Sequence, residues 1–252
     1  DTDGDKLSDG AEVLDYNTDP LSTDSDSDKL SDFAEVITYE TDPNDSDSDG
    51  DLLTDWQEIF LGTDPNQEDS DGDTLTDYEE NNVTLTDPNI ADSDGDGTND
   101  AQDDNDGDGL TNLQEVRITL TDPNDVDSDG DGTSDYYDDE DGDNLANWKE
   151  IQVGSDVHDP DSDGDGLQDG AEVKIYKTSP LQEDTDGDQL TDYEEVVIVG
   201  SDPTETDTDS DNLDDYEEYY TYGTNATNPD TDSDGLRDGD EINTYNTNAT
   251  NP

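Results

Sequence analysis

The sequence has no cysteine, no methionine and one histidine, and it sets seven lysines and arginines against 79 aspartates and glutamates. Without cysteine, neither a disulfide framework nor a thiolate metal site can form. A formal charge of −72 makes nucleic acid and anionic membrane surfaces poor partners, because their phosphates would be repelled. No apolar run approaches the length of a membrane span, so membrane insertion is not expected. Hydrophobic residues make up 24% of the chain. Such a composition reads as disorder, since too little apolar surface is available to offset the entropy of ordering. Something must neutralise this chain before it can compact.

What the chain does hold is aspartate, and the aspartate is regular. Asp161–Glu172, D-S-D-G-D-G-L-Q-D-G-A-E, places acidic oxygens at the first, third, fifth, ninth and twelfth of twelve positions. An EF-hand-type loop wraps a hard cation with that spacing, adding a backbone carbonyl at place seven. The pattern recurs twelve times. Place one is Asp1, Asp24, Asp47, Asp69, Asp92, Asp104, Asp127, Asp139, Asp161, Asp184, Asp207 and Asp230. Place three is Asp3, Asp26, Asp49, Asp71, Asp94, Asp106, Asp129, Asp141, Asp163, Asp186, Asp209 and Asp232. Place five is Asp5, Asp28, Asp51, Asp73, Asp96, Asp108, Asp131, Asp143, Asp165, Asp188, Asp211 and Asp234. Place seven, whose carbonyl is the expected ligand, is Leu7, Leu30, Leu53, Leu75, Thr98, Leu110, Thr133, Leu145, Leu167, Leu190, Leu213 and Leu236. Place nine is Asp9, Asp32, Asp55, Asp77, Asp100, Asn112, Asp135, Asn147, Asp169, Asp192, Asp215 and Asp238. Place twelve is Glu12, Glu35, Glu58, Glu80, Asp103, Glu115, Asp138, Glu150, Glu172, Glu195, Glu218 and Glu241. A solvated acidic face would not keep such a register. All-oxygen donors point to calcium, about one ion per loop, hence twelve or more.

Most loops start 22 or 23 residues apart, and two intervals are only 12. The spacing divides the chain into four long repeats (1–91), two short/long loop pairs (92–160) and four further long repeats (161–252). In eight of the ten long repeats the place-twelve glutamate is followed by Val or Ile. A turn such as Thr18-Asp19-Pro20 or Thr63-Asp64-Pro65 then closes the unit. Proline there ends any helix before it. Thr76 with Glu79 and Thr191 with Glu194 have capping-box spacing. One or two helical turns are therefore expected from place nine to about place sixteen. Apolar residues are too few for a shared core. Small clusters between neighbouring repeats are expected instead, from the place-seven leucine, the place-ten aromatic (Phe33, Trp56, Tyr78, Trp148, Tyr193, Tyr216) and the Val or Ile after the glutamate. The loops at Asp92 and Asp127 carry threonine at place seven and aspartate at place twelve, and asparagine follows at place nine of the next loop. These linked changes predict a second, compact loop type with no helix. Glycine fills place six in five loops of twelve. If the backbone there is left-handed throughout, a β-carbon costs about 1–2 kcal/mol in the other seven.

The alternation of D-x-D-G-D-x-L-x-D-x-x-E loops and T-x-P turns with short D-x-D-G-D-G-T-x-D-x-x-D loops resembles thrombospondin type 3 repeats. It is closest to their cysteine-free microbial relatives, as in Tyr222-Gly-Thr-Asn-Ala-Thr-Asn-Pro-Asp-Thr-Asp-Ser-Asp234. The resemblance covers the whole chain and implies a calcium-filled, rod-like array in a secreted or cell-surface protein. The fold class expected is thus a mostly irregular, metal-stabilised tandem-repeat array. Its EF-hand-like calcium loops and short helices would form an elongated rod rather than a globular core. The function expected is a calcium-stiffened extracellular rod, stalk or fibre segment, in which neighbouring repeats, or chains head to tail, form an array or filament. A dockerin-like binding or adhesion module and an acidic calcium-sequestering matrix protein are the alternatives. Asn44, Asn82, Asn225 and Asn248 are glycosylation sequons, which makes glycans candidate adducts. No catalytic constellation stands out around His158, and carboxylate pairs are everywhere, so an enzyme is not expected.

Overall fold

Every loop turns twice through left-handed backbone. In the computed structural model, which describes residues 1–251, places four and six carry positive φ in all twelve loops, from Gly4 and Lys6 to Ser233 and Gly235. At place six, Lys6, Lys29, Leu52, Thr74, Asn144, Gln189 and Asn212 hold a β-carbon at φ between 74° and 98°. The left-handed turn is thus imposed even where glycine is absent. Thr74, β-branched and at φ 95°, is the most strained of these. Thr74→Gly is expected to raise stability in saturating calcium by about 1 kcal/mol. That figure is the left-handed cost less the extra chain entropy that glycine loses on folding. A denaturant midpoint checks it, and a lower midpoint would contradict the account.

The aspartates themselves impose the turn. In the loop at Asp47, Asp47 accepts from the amides of Gly50 (2.9 Å) and Leu52 (3.1 Å), and Asp51 accepts from Leu53 (2.6 Å). At the base of the loop, the Asp55 amide donates to the Ser46 carbonyl (3.1 Å). The same bonds recur around Asp69 and Asp184. The place-seven leucine is buried in most loops, with Leu75, Leu145 and Leu190 fully so. The Val or Ile after the glutamate is only half-buried or exposed, so the expected clusters draw less on it than the sequence suggests.

Helix begins at place nine, as expected. Thr54 with Gln57, Thr76 with Glu79 and Thr111 with Gln114 form complete capping boxes, and Thr191 with Glu194 makes both capping bonds (3.3 and 3.1 Å). How the helix continues depends on repeat length. The two 22-residue repeats, starting at Asp47 and Asp139, carry plain α-helices, Asp55–Leu61 and Asn147–Val153. In the 23-residue repeats the extra residue is absorbed as a π-turn, as in Glu12–Tyr16, Glu80–Thr84 or Glu172–Tyr176, the usual form of a one-residue insertion into a helix. Both kinds end on a left-handed residue whose amide returns to the place-twelve carbonyl. Gly62 bonds Glu58 (2.7 Å) across four residues, and Lys177 bonds Glu172 (2.7 Å) across five. Among the described residues there are no strands.

The chain divides into two units, Asp1–Asp135 and Tyr136 onward. Within each, one bond recurs between neighbours: the second oxygen of a place-five aspartate accepts the place-ten amide of the next repeat. Asp28 takes Trp56 (3.0 Å) and Asp51 takes Tyr78 (2.9 Å) in the first unit, while Asp165 takes Tyr193 (2.8 Å) and Asp188 takes Tyr216 (3.1 Å) in the second. The place-ten ring then lies against place six of the preceding loop, with Lys29 over Trp56 at 3.9 Å. Gly170 fills place ten where a β-carbon would come within 2.5 Å of the Asp143 carbonyl oxygen.

The short loop at Asp92 has no helix. Asn99–Asp103 forms a single turn, closed by the Asp103 amide on the Asn99 carbonyl (3.0 Å). The next repeat is joined differently: Leu113 donates to the Ala101 carbonyl (3.0 Å), and the Asn112 side-chain amide donates to the Asp100 carbonyl (2.7 Å). That bond needs a donor, which explains asparagine where other loops have aspartate. The short loop sets the repeat at Asp104 against the one at Asp69. Arg117 there bonds Glu79 (2.6 Å) and the Thr74 carbonyl (2.8 Å), and Asn124 bonds the Val83 carbonyl (2.8 Å).

Candidate metal centres

The loop gathers its first three aspartates. Carboxylate oxygens of Asp1, Asp3 and Asp5 lie within 4.8 Å of one another, as do those of Asp24, Asp26 and Asp28, of Asp47, Asp49 and Asp51, and of Asp69, Asp71 and Asp73. At place three, one oxygen accepts a loop amide, as Asp71 does from Asp73 (3.2 Å). The other oxygen is buried without a partner at Asp49, Asp71, Asp106, Asp163 and Asp186. Burial, together with the neighbouring aspartates, pushes Asp49, Asp71 and Asp186 up to about 6.

A second group spans two loops. Asp73, Glu80 and Asp100, all buried, hold carboxylate oxygens within 4.8 Å of one another. They are places five and twelve of one loop and place nine of the next. Spacing within a single loop placed the ninth residue in its own shell; the structure also brings it to its predecessor's glutamate. In its own loop, Asp100 is held from behind by the backbone amide (3.0 Å) and hydroxyl (2.7 Å) of Ser93. Ser48 holds Asp55 and Thr185 holds Asp192 in the same way. Serine or threonine stands at place two in ten loops. The two exceptions, Asn105 and Glu140, precede asparagine at place nine.

The place-twelve glutamates are fully enclosed, as are most place-nine aspartates. Glu12, Glu35, Glu58, Glu80, Glu115 and Glu150 have no exposed surface, and both carboxylate oxygens of Glu58 lack a hydrogen-bond partner. Burial, then Asp71, Asp73 and Asp100, pushes Glu80 up to about 9; Glu58 reaches about 9 and Glu195 about 8 for the same reasons. One group of contributors escaped the sequence reading. The closing-turn hydroxyl, taken there as a turn former, donates to the glutamate: Thr86 to Glu80 (3.2 Å), Thr178 to Glu172 (3.2 Å) and Ser201 to Glu195 (3.0 Å). Its recurrence as serine or threonine at the start of every closing turn, in seven of ten two places before proline, was the available signal.

Buried carboxylate oxygens without donors cost several kcal/mol each unless a cation faces them. Among the described residues the side chains supply one ion pair, Arg117–Glu79. The donors are all oxygen, which suits a hard divalent cation and neither zinc nor copper. The residues present fit calcium.

The raised glutamates set a pH dependence of definite sign. Metal-free compact chain holds protons on Glu58 and Glu80 up to about pH 9, whereas the unfolded chain loses them near its ordinary 4.5. That stability is complete below the lower value and is lost as pH rises through the upper one. In chelator, helical circular dichroism is expected to fall from pH 5 to pH 9. In calcium the trend reverses, because binding displaces those protons. An unchanged calcium midpoint between pH 6 and 8 would contradict it.

A family model described as a bacterial TSP3 repeat matches residues 1–23, 47–68, 104–126, 161–182, 184–205 and 230–252, together more than half of the chain. No curated protein matches. Among solved structures, "Biofilm associated protein - B domain" is 43% identical over 18% of this chain and 11% of that one, with a TM-score of 0.17. "Biofilm associated protein - BSP domain" is 44% identical over 17% and 8%, also at 0.17. The chain thus covers about a tenth of the length of either. Among the described residues no helix is long and apolar enough to cross a membrane.

Proposed function

The chain belongs to the bacterial thrombospondin type 3 repeat family, and on that premise we propose that it is an extracellular or cell-surface structural protein whose repeats fold around calcium. The observation that carries this reading is the set of buried, partnerless carboxylate oxygens at places three and twelve, repeated along the chain. Places one, three and five, with the place-seven carbonyl, would hold one ion. Places five and twelve, with place nine of the following loop, would hold another where that loop follows. Bound calcium supplies positive charge to a chain of −72 and ties each loop to the next.

The residues do the rest. Place-five aspartates link neighbours through the place-ten amide, place-two hydroxyls aim the ninth residue, and closing-turn hydroxyls fix the glutamate. Apart from the fold-back at the short loop, repeats are joined to their neighbours, so stiffness is largely a sum of local terms, which suits a spacer, stalk or fibre segment. Extracellular calcium modules bind with dissociation constants of about 10⁻⁴–10⁻³ M, useful only where calcium is millimolar, so the reading places the protein outside the cell. Small-angle X-ray scattering tests it: an elongated particle of fixed cross-section in millimolar calcium, and a swollen coil in chelator. A compact sphere, or the same curve in both, would refute it.

A further inference from the structure

Two leucines on left-handed backbone line one cavity: Leu52 at place six, which every other loop fills with a polar residue or glycine, and Leu120 at a helix-closing position that most other repeats fill in the same way and that one, at Leu85, fills with leucine. Leu52 (φ 88°) sits at place six, where the first two loops have Lys6 and Lys29. Leu120 (φ 60°) ends a helical turn, where Asn17 and Asn246 end theirs. The two side chains are 69% and 68% exposed. The cavity, ≈ 560 Å³, lies within the first unit and is also lined by Tyr78, Val116, Glu68 and Glu79. Its far wall is the repeat that the short loop folds back. The size falls in the range of ligand sites. Exposed apolar side chains cost hydration and left-handed backbone costs strain, and paired departures of this kind gather where something binds.

The rim states the charge of the occupant. Glu79 is held by Arg117, while Glu68, exposed on the same rim, enters no ion pair among the described residues. Arg117 already shows how a cation meets this surface, its head on one rim carboxylate. We propose that the cavity docks a basic peptide segment of a partner protein, with a lysine's methylenes against Leu52 and Leu120 and its ammonium at Glu68. Long cationic side chains cover apolar walls in this manner while the charge stays at the edge. A second copy of this chain, with seven cations against 79 acids, is a poor occupant.

The test is fluorescence anisotropy of a labelled acetyl-Gly-Lys-Leu-Lys-Gly-amide peptide with the full chain in millimolar calcium. Leu120→Asn and Leu52→Lys introduce residues native to equivalent left-handed positions, so the fold is kept, as circular dichroism would verify. Each is expected to weaken binding about tenfold, or ~1.4 kcal/mol. Leu85→Asn makes the same change at another exposed left-handed leucine (φ 64°) outside the cavity and should leave binding unchanged. Equal affinity in all three, equal binding of a peptide with glutamate for lysine, or no binding at all would overturn the proposal. So would sedimentation showing self-association that Leu120→Asn abolishes, since the occupant would then be a second copy. Chelation, which tests the calcium reading, leaves this comparison of folded variants separate.

Discussion

In excess chelator at neutral pH, the far-ultraviolet signal of the helical turns and the tryptophan signals of Trp56 and Trp148 are expected to be lost together. Each helical turn starts at a place-nine residue and ends on a place-twelve carbonyl, and no segment is long enough to be helical alone. Trp56 is placed by the bond from its amide to Asp28, and Trp148 by the bond from its amide to the Tyr136 carbonyl (3.2 Å). Removing the cation leaves the loop aspartates unopposed, and at neutral pH the compact chain can bury Glu58 and Glu80 only by taking up protons that the unfolded chain does not hold. Fewer than a quarter of the residues are hydrophobic, so no apolar core resists the repulsion. Restoring calcium should bring both signals back with a common midpoint of about 10⁻⁴–10⁻³ M. Tryptophan spectra unaltered by chelator would mean that the order of these loops has another source.

A substitution in one loop should disable its predecessor. Asp100→Asn keeps the shape of the side chain held by Ser93 but removes a charge from the group with Asp73 and Glu80. Calcium affinity of the loop Asp69–Glu80 is expected to fall about 10–100-fold, the range seen when a supporting group of a metal site is lost. Amide resonances of Leu75 and Glu80 followed through a calcium titration report it, with Leu190 in the second unit as an internal reference. A change confined to residues 92–103 would show that each loop binds independently, and the cross-loop group would have to be abandoned.

Much of this was readable before any coordinates. The register of Asp47, Asp49 and Asp51, the helix start after Thr76, and the helix-free loop at Asp92 followed from spacing and capping chemistry, because these bonds are local. The left-handed place six was suspected from the glycine of the loop Asp161–Glu172, Gly166, then met at Leu52 and Thr74, where the carboxylate at place one dictates it. What spacing could not show is relations across 20–28 residues. The link from Asp51 to Tyr78 and the union of Glu80 with Asp100 depend on how one repeat lies on the next. The glutamate-holding threonines hid behind their more obvious role beside proline.

The π-turn has a consequence for how such a gene can change. Between the place-twelve glutamate and the left-handed residue that closes the turn, the chain accepts three intervening residues, as at Gly62, or four, as at Lys177. The closing hydroxyl then follows at once, Thr63 in the first case and Thr178 in the second. A codon gained or lost in that stretch is therefore silent for ion geometry, while one gained or lost between places one and nine shifts every carboxylate behind it. Replication slippage can drift the length of these repeats without breaking them, provided it falls in that one window.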